Sequence, residues 1–289
     1  MPVLQAVFVT VLWASSWVLI KLGLRESLPA LTFAGLRYTL AFICLTPFVL
    51  MTARNRAAIR SLRREDWGWL ALLGIVYYTL TQGAQFLGLA YLPAAMVSLL
   101  LNLTPLIVGL FGIIFLGEHP SRGQWLGILL TVIGVAFYFL PLDVNQLHIP
   151  GLLIAFGGVV TNAASALLGR RANRLGITSP LVITFISMGV GAVLLLIVGV
   201  LTQGFGKLDL QSWLLIAWLA IVNTALAFTL WNHTLQTLAA VESSIINSLM
   251  MPQIAILAFV FLGEVLSGKE IIGLVLVSLG VLIVQLKRN

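Results

Sequence analysis

Apolar stretches about twenty residues long follow one another almost without interruption, and scarcely any charge lies inside them. A helix needs about 20 mainly apolar residues to cross the hydrocarbon core of a bilayer. Charged residues make up only 9% of the 289, against about 25% in an average soluble domain. A soluble core of this size has no room for so much apolar surface, so the chain is expected to be an all-α membrane protein. Reading the runs in order gives ten spans at 4–22, 31–51, 67–89, 94–116, 123–141, 150–170, 180–203, 211–232, 239–262 and 269–286. No basic segment precedes the first run, so it reads as a permanent helix rather than a removable signal. Pro93 marks the break between the third and fourth spans.

The formal net charge of +7 does not point to nucleic acid. The cations sit in short connections between apolar runs, where they orient a membrane protein. Arg54, Arg56, Arg60, Arg63 and Arg64 crowd one connection, which is therefore assigned to the cytoplasm. With ten spans both termini lie on that side, together with Arg122, Arg170, Arg171, Arg174, Lys287 and Arg288. The outer side keeps Lys21, Arg25, Arg37, Lys207 and Lys269. The expected location is the inner, cytoplasmic membrane, crossed many times. Cys44, the single cysteine, reads as a small buried hydrophobe.

The chain also resembles itself at an offset of 146 residues. FLGEHPSRGQWLG (115–127) aligns with FLGEVLSGKEIIG (261–273), pairing Glu118 with Glu264, Ser121 with Ser267 and Gly127 with Gly273; Gly134 pairs with Gly280. Each unit holds five spans. An odd number makes the second unit enter the membrane from the opposite side, an arrangement common in transporters with a site at the repeat interface. The expected domains are 1–141 and 142–289, two inverted five-helix repeats.

The doubled FLGE motif, its following Ser and Gln or Glu, and its glycines seven apart resemble the EamA branch of the drug/metabolite transporter superfamily. WASSW (13–17) followed by Lys21, and LPALTFAGLRY (28–38) in the second span, are similar to it as well. The resemblance implies a carrier of amino acids or related metabolites, with export favoured. One departure stands out. The family places proline thirteen residues before the motif glutamate; Pro105 fits, but Met251 holds the second slot and Pro252 lies one residue on.

Polar residues within spans cannot face lipid cheaply and so face the bundle or a wet cavity. Tyr78, Gln82 and Gln85 form one helical stripe in the third span, flanked by Tyr77 and Thr81. Trp13, Ser16 and Trp17 join them from the first span, with Asn102, Asn162, Asn223, Trp231 and Asn247 from later ones. Taken singly each reads as glue between helices, but as a set they read as a substrate-binding cavity with aromatic walls. Arg37 has two readings, a partner for a substrate carboxylate or a side chain snorkelling to the headgroups. Pro105 and Pro252 are candidate kinks for gating. Glu118 and Glu264 read as ties of tight turns or as gates. Ser121–Gln124 and Ser267–Glu270 read as capping boxes.

No P-loop, H-E-x-x-H or G-x-S-x-G pattern occurs, so neither direct ATP drive nor intramembrane catalysis is expected, and no metal or cofactor. The expected function is a secondary transporter of small amphipathic metabolites working by alternating access. The expected partners are a small-molecule substrate and the lipid bilayer, and the chain a monomer or homodimer. Facilitated or exchange transport of organic cations or nucleosides is the alternative within the class. A non-transport membrane protein, such as a lipid-handling protein or an intramembrane enzyme, is the alternative outside it.

Overall fold

A computed structural model describes residues 2–25, 28–92, 94–101, 103–117, 121–139, 148–262 and 267–286. Every regular element among them is helical. They are α1 (Pro2–Arg25), α2 (Ala30–Leu50), α3 (Ala53–Arg60), α4 (Arg64–Gly74), α5 (Gln82–Tyr91), α6 (Ala94–Leu101), α7 (Thr104–Leu116), α8 (Arg122–Phe139), α9 (Ile149–Arg174), α10 (Pro180–Gln203), α11 (Leu210–Ala220), α12 (Ala227–Thr234), α13 (Ala240–Ser248), α14 (Met250–Leu262) and α15 (Gly268–Leu286). A π-helical turn, Ile75–Thr81, joins α4 to α5, and a second, Ile221–Leu226, joins α11 to α12. Seven helical stretches among the described residues are long and apolar enough to cross a membrane. Thr104–Phe115, Arg122–Phe137 and Ile271–Gly280 are apolar but shorter.

Helix starts are fixed by local chemistry. The Ser121 side chain accepts from the Gln124 N–H at 3.2 Å while the Gln124 side chain accepts from the Ser121 N–H at 2.8 Å. This is the capping box expected from the sequence, and it satisfies two backbone donors that a helix start leaves free. Glu242 accepts from the Ala239 N–H at 3.0 Å in the same way, and Asp209 accepts from the Ser212 N–H at 2.8 Å. Ser267 precedes α15, but the Glu270 side chain lies outside the described residues. So do Glu118, Glu264 and Pro93.

The fourth and ninth runs are not single helices. The first divides between Leu101 and Thr104, the second at Leu249. Pro105 sits in the first turn of α7 and Pro252 is the third residue of α14. Pro105 therefore does not kink an unbroken span by removing a bond from its middle, as the sequence alone implied, and Pro252 follows a single turn residue, Leu249, within the stretch Val241–Phe261. Both prolines stand in the first turn of a helical segment, where a missing N–H costs little.

Two helix pairs pack so closely that only glycine fits between them. A Cβ on Gly134 would stand 2.7 Å from the Gly273 oxygen, and one on Gly280 would stand 2.7 Å from the Gly127 oxygen. Contacts that rise in α8 as they fall in α15 mean the pair is antiparallel. In the same way Gly35 meets Leu196, and Gly199 meets Thr32, between α2 and α10. Small residues let backbones approach where no hydrophobic force drives helix association.

Candidate substrate cavity

Two cavities lie within the bundle. The first encloses about 730 Å³, open solvent included. Its walls come from α1 (Trp13, Ser16, Trp17), α2 (Arg37, Tyr38), the α4–α5 stretch (Tyr77, Thr81, Gln82, Gln85), α6 and α7 (Ser98, Thr104, Pro105), α9 (Asn162), α12 (Phe228) and α13–α14 (Asn247, Met250, Met251). The second, about 440 Å³, is lined by Ser165 and Gly169 of α9, Trp231, Asn232 and Leu235 near the end of α12, and Ser243 of α13. Trp13, Tyr77, Thr104, Asn162 and Asn247 line both. The two spaces therefore share a collar of five side chains.

Most of the polar set expected from the sequence converges here: Trp13, Ser16, Trp17, Arg37, Gln82, Gln85, Asn162 and Asn247 line the first cavity, and Trp231 lines the second. Tyr78 and Asn223 do not. Both are fully buried. Asn223 donates from Nδ2 to the Leu12 oxygen and, at 2.9 Å, to Ser15 Oγ. The physical reason lies in the π-helical turns that contain them. An i→i+5 turn holds one residue more than an α-turn, so the 3.6-residue stripe slips by one position. Tyr77 lines the cavity where Tyr78 was expected. Asn102 lies outside the described residues.

Arg37 differs most from its outward reading. It is only 2% exposed, so it does not snorkel to headgroups. Its Nε donates to Thr224 Oγ1 at 2.7 Å and its Nη2 to the Asn223 oxygen at 3.3 Å. Thr224 in turn donates to the Leu219 oxygen at 2.7 Å. The second π-helical turn thus presents a carbonyl and a hydroxyl to the guanidinium, and ties α2 to the α11–α12 stretch. Next to it, Tyr38 donates to Gln82 Oε1 at 2.6 Å.

Aromatic faces make up the rest of the wall. Trp13 lies 4.9 Å from Phe228 and 5.0 Å from Trp231, centroid to centroid. Tyr77 stands edge-on to Phe228 at 5.2 Å. At the second cavity, Asn173 donates to Asn232 Oδ1 at 3.0 Å and Asn232 to Thr184 Oγ1 at 2.8 Å. Arg170 donates to the Leu235 oxygen at 2.6 Å. These bonds join α9, α10 and α12 at one end of the path. Sequence reasoning missed Asn173, Asn232 and Thr184; their positions near span ends drew attention away from them.

Known proteins resemble the chain along its length. A model of the EamA-like transporter family matches residues 1–140 and 149–286. The uncharacterized transporter YvbV of Bacillus subtilis is 27% identical over 288 residues, covering 97% of this chain and 90% of its own. A protein of Salmonella typhimurium named as a probable amino-acid metabolite efflux pump is 27% identical over 289 residues, covering 96% and 92%. A solved crystal structure superposes with a TM-score of 0.80 at 20% identity, covering 99% of this chain and 97% of that one. It shares the fold.

Proposed function

The chain belongs to the EamA-like transporter family and is a multi-pass membrane transporter; from that premise we propose that it is a secondary carrier exporting small amphipathic metabolites, amino acids or related solutes, by alternating access. The observation that carries this is the collar, where two cavities share Trp13, Tyr77, Thr104, Asn162 and Asn247. A solute held there needs only one end or the other to open. The name of the Salmonella relative supports the substrate class and the direction.

Ten spans in two inverted repeats, 1–141 and 142–289, fit this mode of action, because two similar halves of opposite orientation exchange roles at little energetic cost. Helix starts support the repeat: α4 and α11, the two π-helical turns, α6 and α13, α7 and α14, and α8 and α15 each begin 146 residues apart. The antiparallel pairing of α8 with α15, and of α2 with α10, is what inversion requires. Seated in the cytoplasmic membrane with the arginine-rich α3 inside, the carrier has both termini in the cytoplasm.

Among the described residues, no Asp or Glu lines either cavity. This favours exchange or facilitated movement over proton coupling through a carboxylate. Counterflow in proteoliposomes, screened over amino acids, amines and nucleosides, tests the proposal. Saturable exchange of chemically unchanged solute supports it; a screen in which no solute exchanges above empty liposomes overturns it.

A further inference from the structure

Arg37 carries a full charge in a nearly dry place. An arginine side chain has five N–H donors and no acceptor, and the bonds to Thr224 and Asn223 occupy two of them. Among the described residues no carboxylate pairs with it. Its neighbours are the Tyr38 ring, 5.1 Å from the guanidinium carbon, and neutral oxygens. A buried cation left without an opposite charge is costly, and an ionisable group inside a membrane span marks a functional site with a partner to be found. Arg37 lines the first cavity, so that partner can arrive from solution.

Two further orphaned groups lie on the same walls. Trp13, 7% exposed, has no acceptor for its indole N–H, and Asn247 has no donor for its Oδ1. The side chains that line the cavity therefore include a fixed positive charge, a buried unpaired donor and a buried unpaired acceptor. We infer that Arg37 anchors a carboxylate on the carried solute, so that the site takes amphipathic carboxylates and refuses amines that lack one. An amino acid answers two of the three, with its carboxylate on Arg37 and its ammonium toward Asn247, while its apolar side chain lies against Trp17, Tyr77 or Phe228. An amine without a carboxylate can reach Asn247 as well, but it leaves Arg37 unpaired and meets the repulsion of the guanidinium.

This inference rests on the carrier proposed above, and the test separates the two. Wild-type protein in liposomes is given three solutes that share a phenyl ring: phenylalanine, phenylacetate and phenethylamine. Phenylalanine and phenylacetate should exchange, and phenethylamine should exchange at least about tenfold more slowly, the ratio expected from one charge-assisted contact. Arg37→Lys, which keeps the charge, should retain the preference with weaker affinity, and Arg37→Gln should abolish it. Equal or faster movement of phenethylamine overturns the inference while leaving the carrier intact, as does an unchanged preference in Arg37→Gln. Should Arg37→Gln not fold, the wild-type ratio alone decides. Failure of all three solutes overturns the inference too, and the wider counterflow screen then judges the carrier separately.

Discussion

The carbonyl oxygen of Gly273 stands 2.7 Å from the point where a Cβ on Gly134 would lie, with the Leu276 Cβ at 2.8 Å on the same side. No side chain there can swing aside to make room, since the nearest atoms belong to backbone and to the root of a side chain. Gly134→Ala should therefore destabilise the protein by about 1–3 kcal/mol, the range for overpacking. Gly157 is the control: it lies in α9 with nothing within 4 Å of its Cβ position. Gly157→Ala should be neutral or stabilising by up to about 1 kcal/mol, because alanine favours helix. Thermal unfolding of the purified protein in detergent distinguishes them.

Much of the architecture was legible because lipid permits few solutions. Long apolar runs with scarcely any charge have one simple physical meaning, helices that cross a membrane. The faces of the helices were less legible. Nothing in IVYYTLT marks a π-helical turn, so periodicity placed Tyr78 on the cavity when the extra residue turns it away; Asn223 was placed there by its polarity within a span, and its side chain is instead spent on Leu12 and Ser15. The breaks near Leu103 and Leu249 hid within apolar runs for the same reason. Arg37 was ambiguous because its partner is a backbone carbonyl 186 residues distant, which no local pattern reveals.

Asn232 connects three helices, accepting from Asn173 and donating to Thr184. Bonds of this kind in membranes are worth about 0.6 kcal/mol on average and about 1.7 at most. Asn232→Ala breaks both and should lower stability by about 1–2 kcal/mol, with Asn173→Ala costing less. The double mutant should show a coupling of about 0.6 kcal/mol, measured by unfolding in a double-mutant cycle. A coupling of zero would mean that the contact does not hold α9 to α12.

Asp209 caps α11 outside the membrane spans. Hydrogen bonds from Ser212 hold its carboxyl below the usual carboxylate range. A group whose pKa is lowered by folding stabilises the fold above its unfolded value, about 3.9 for aspartate, and loses that contribution as pH falls through the folded value. Asp209→Ala should therefore unfold at a lower temperature than wild type at neutral pH, and the gap should shrink below about pH 4. Asp209→Asn, which keeps an acceptor without a titrating proton, should show a smaller deficit at pH 7. A gap that is constant down to pH 3 would mean that the carboxylate contributes nothing as an anion.

The slip caused by the π-helical turns makes a direct distinction between neighbouring side chains. Cys44 is half-buried in α2, so Cys44→Ala supplies a background without native thiols. In that background Gln85→Cys and Tyr77→Cys should react with a small charged thiosulfonate reagent, since both positions line the first cavity. Tyr78→Cys and Asn223→Cys should stay unmodified in the folded protein, since both side chains are 0% exposed. A saturating concentration of a transported solute should slow labelling at 85 and 77 and leave 78 and 223 unchanged. If Tyr78→Cys reacts faster than Tyr77→Cys, the third span is a regular α-helix at that depth, and the cavity wall described above is turned by one residue.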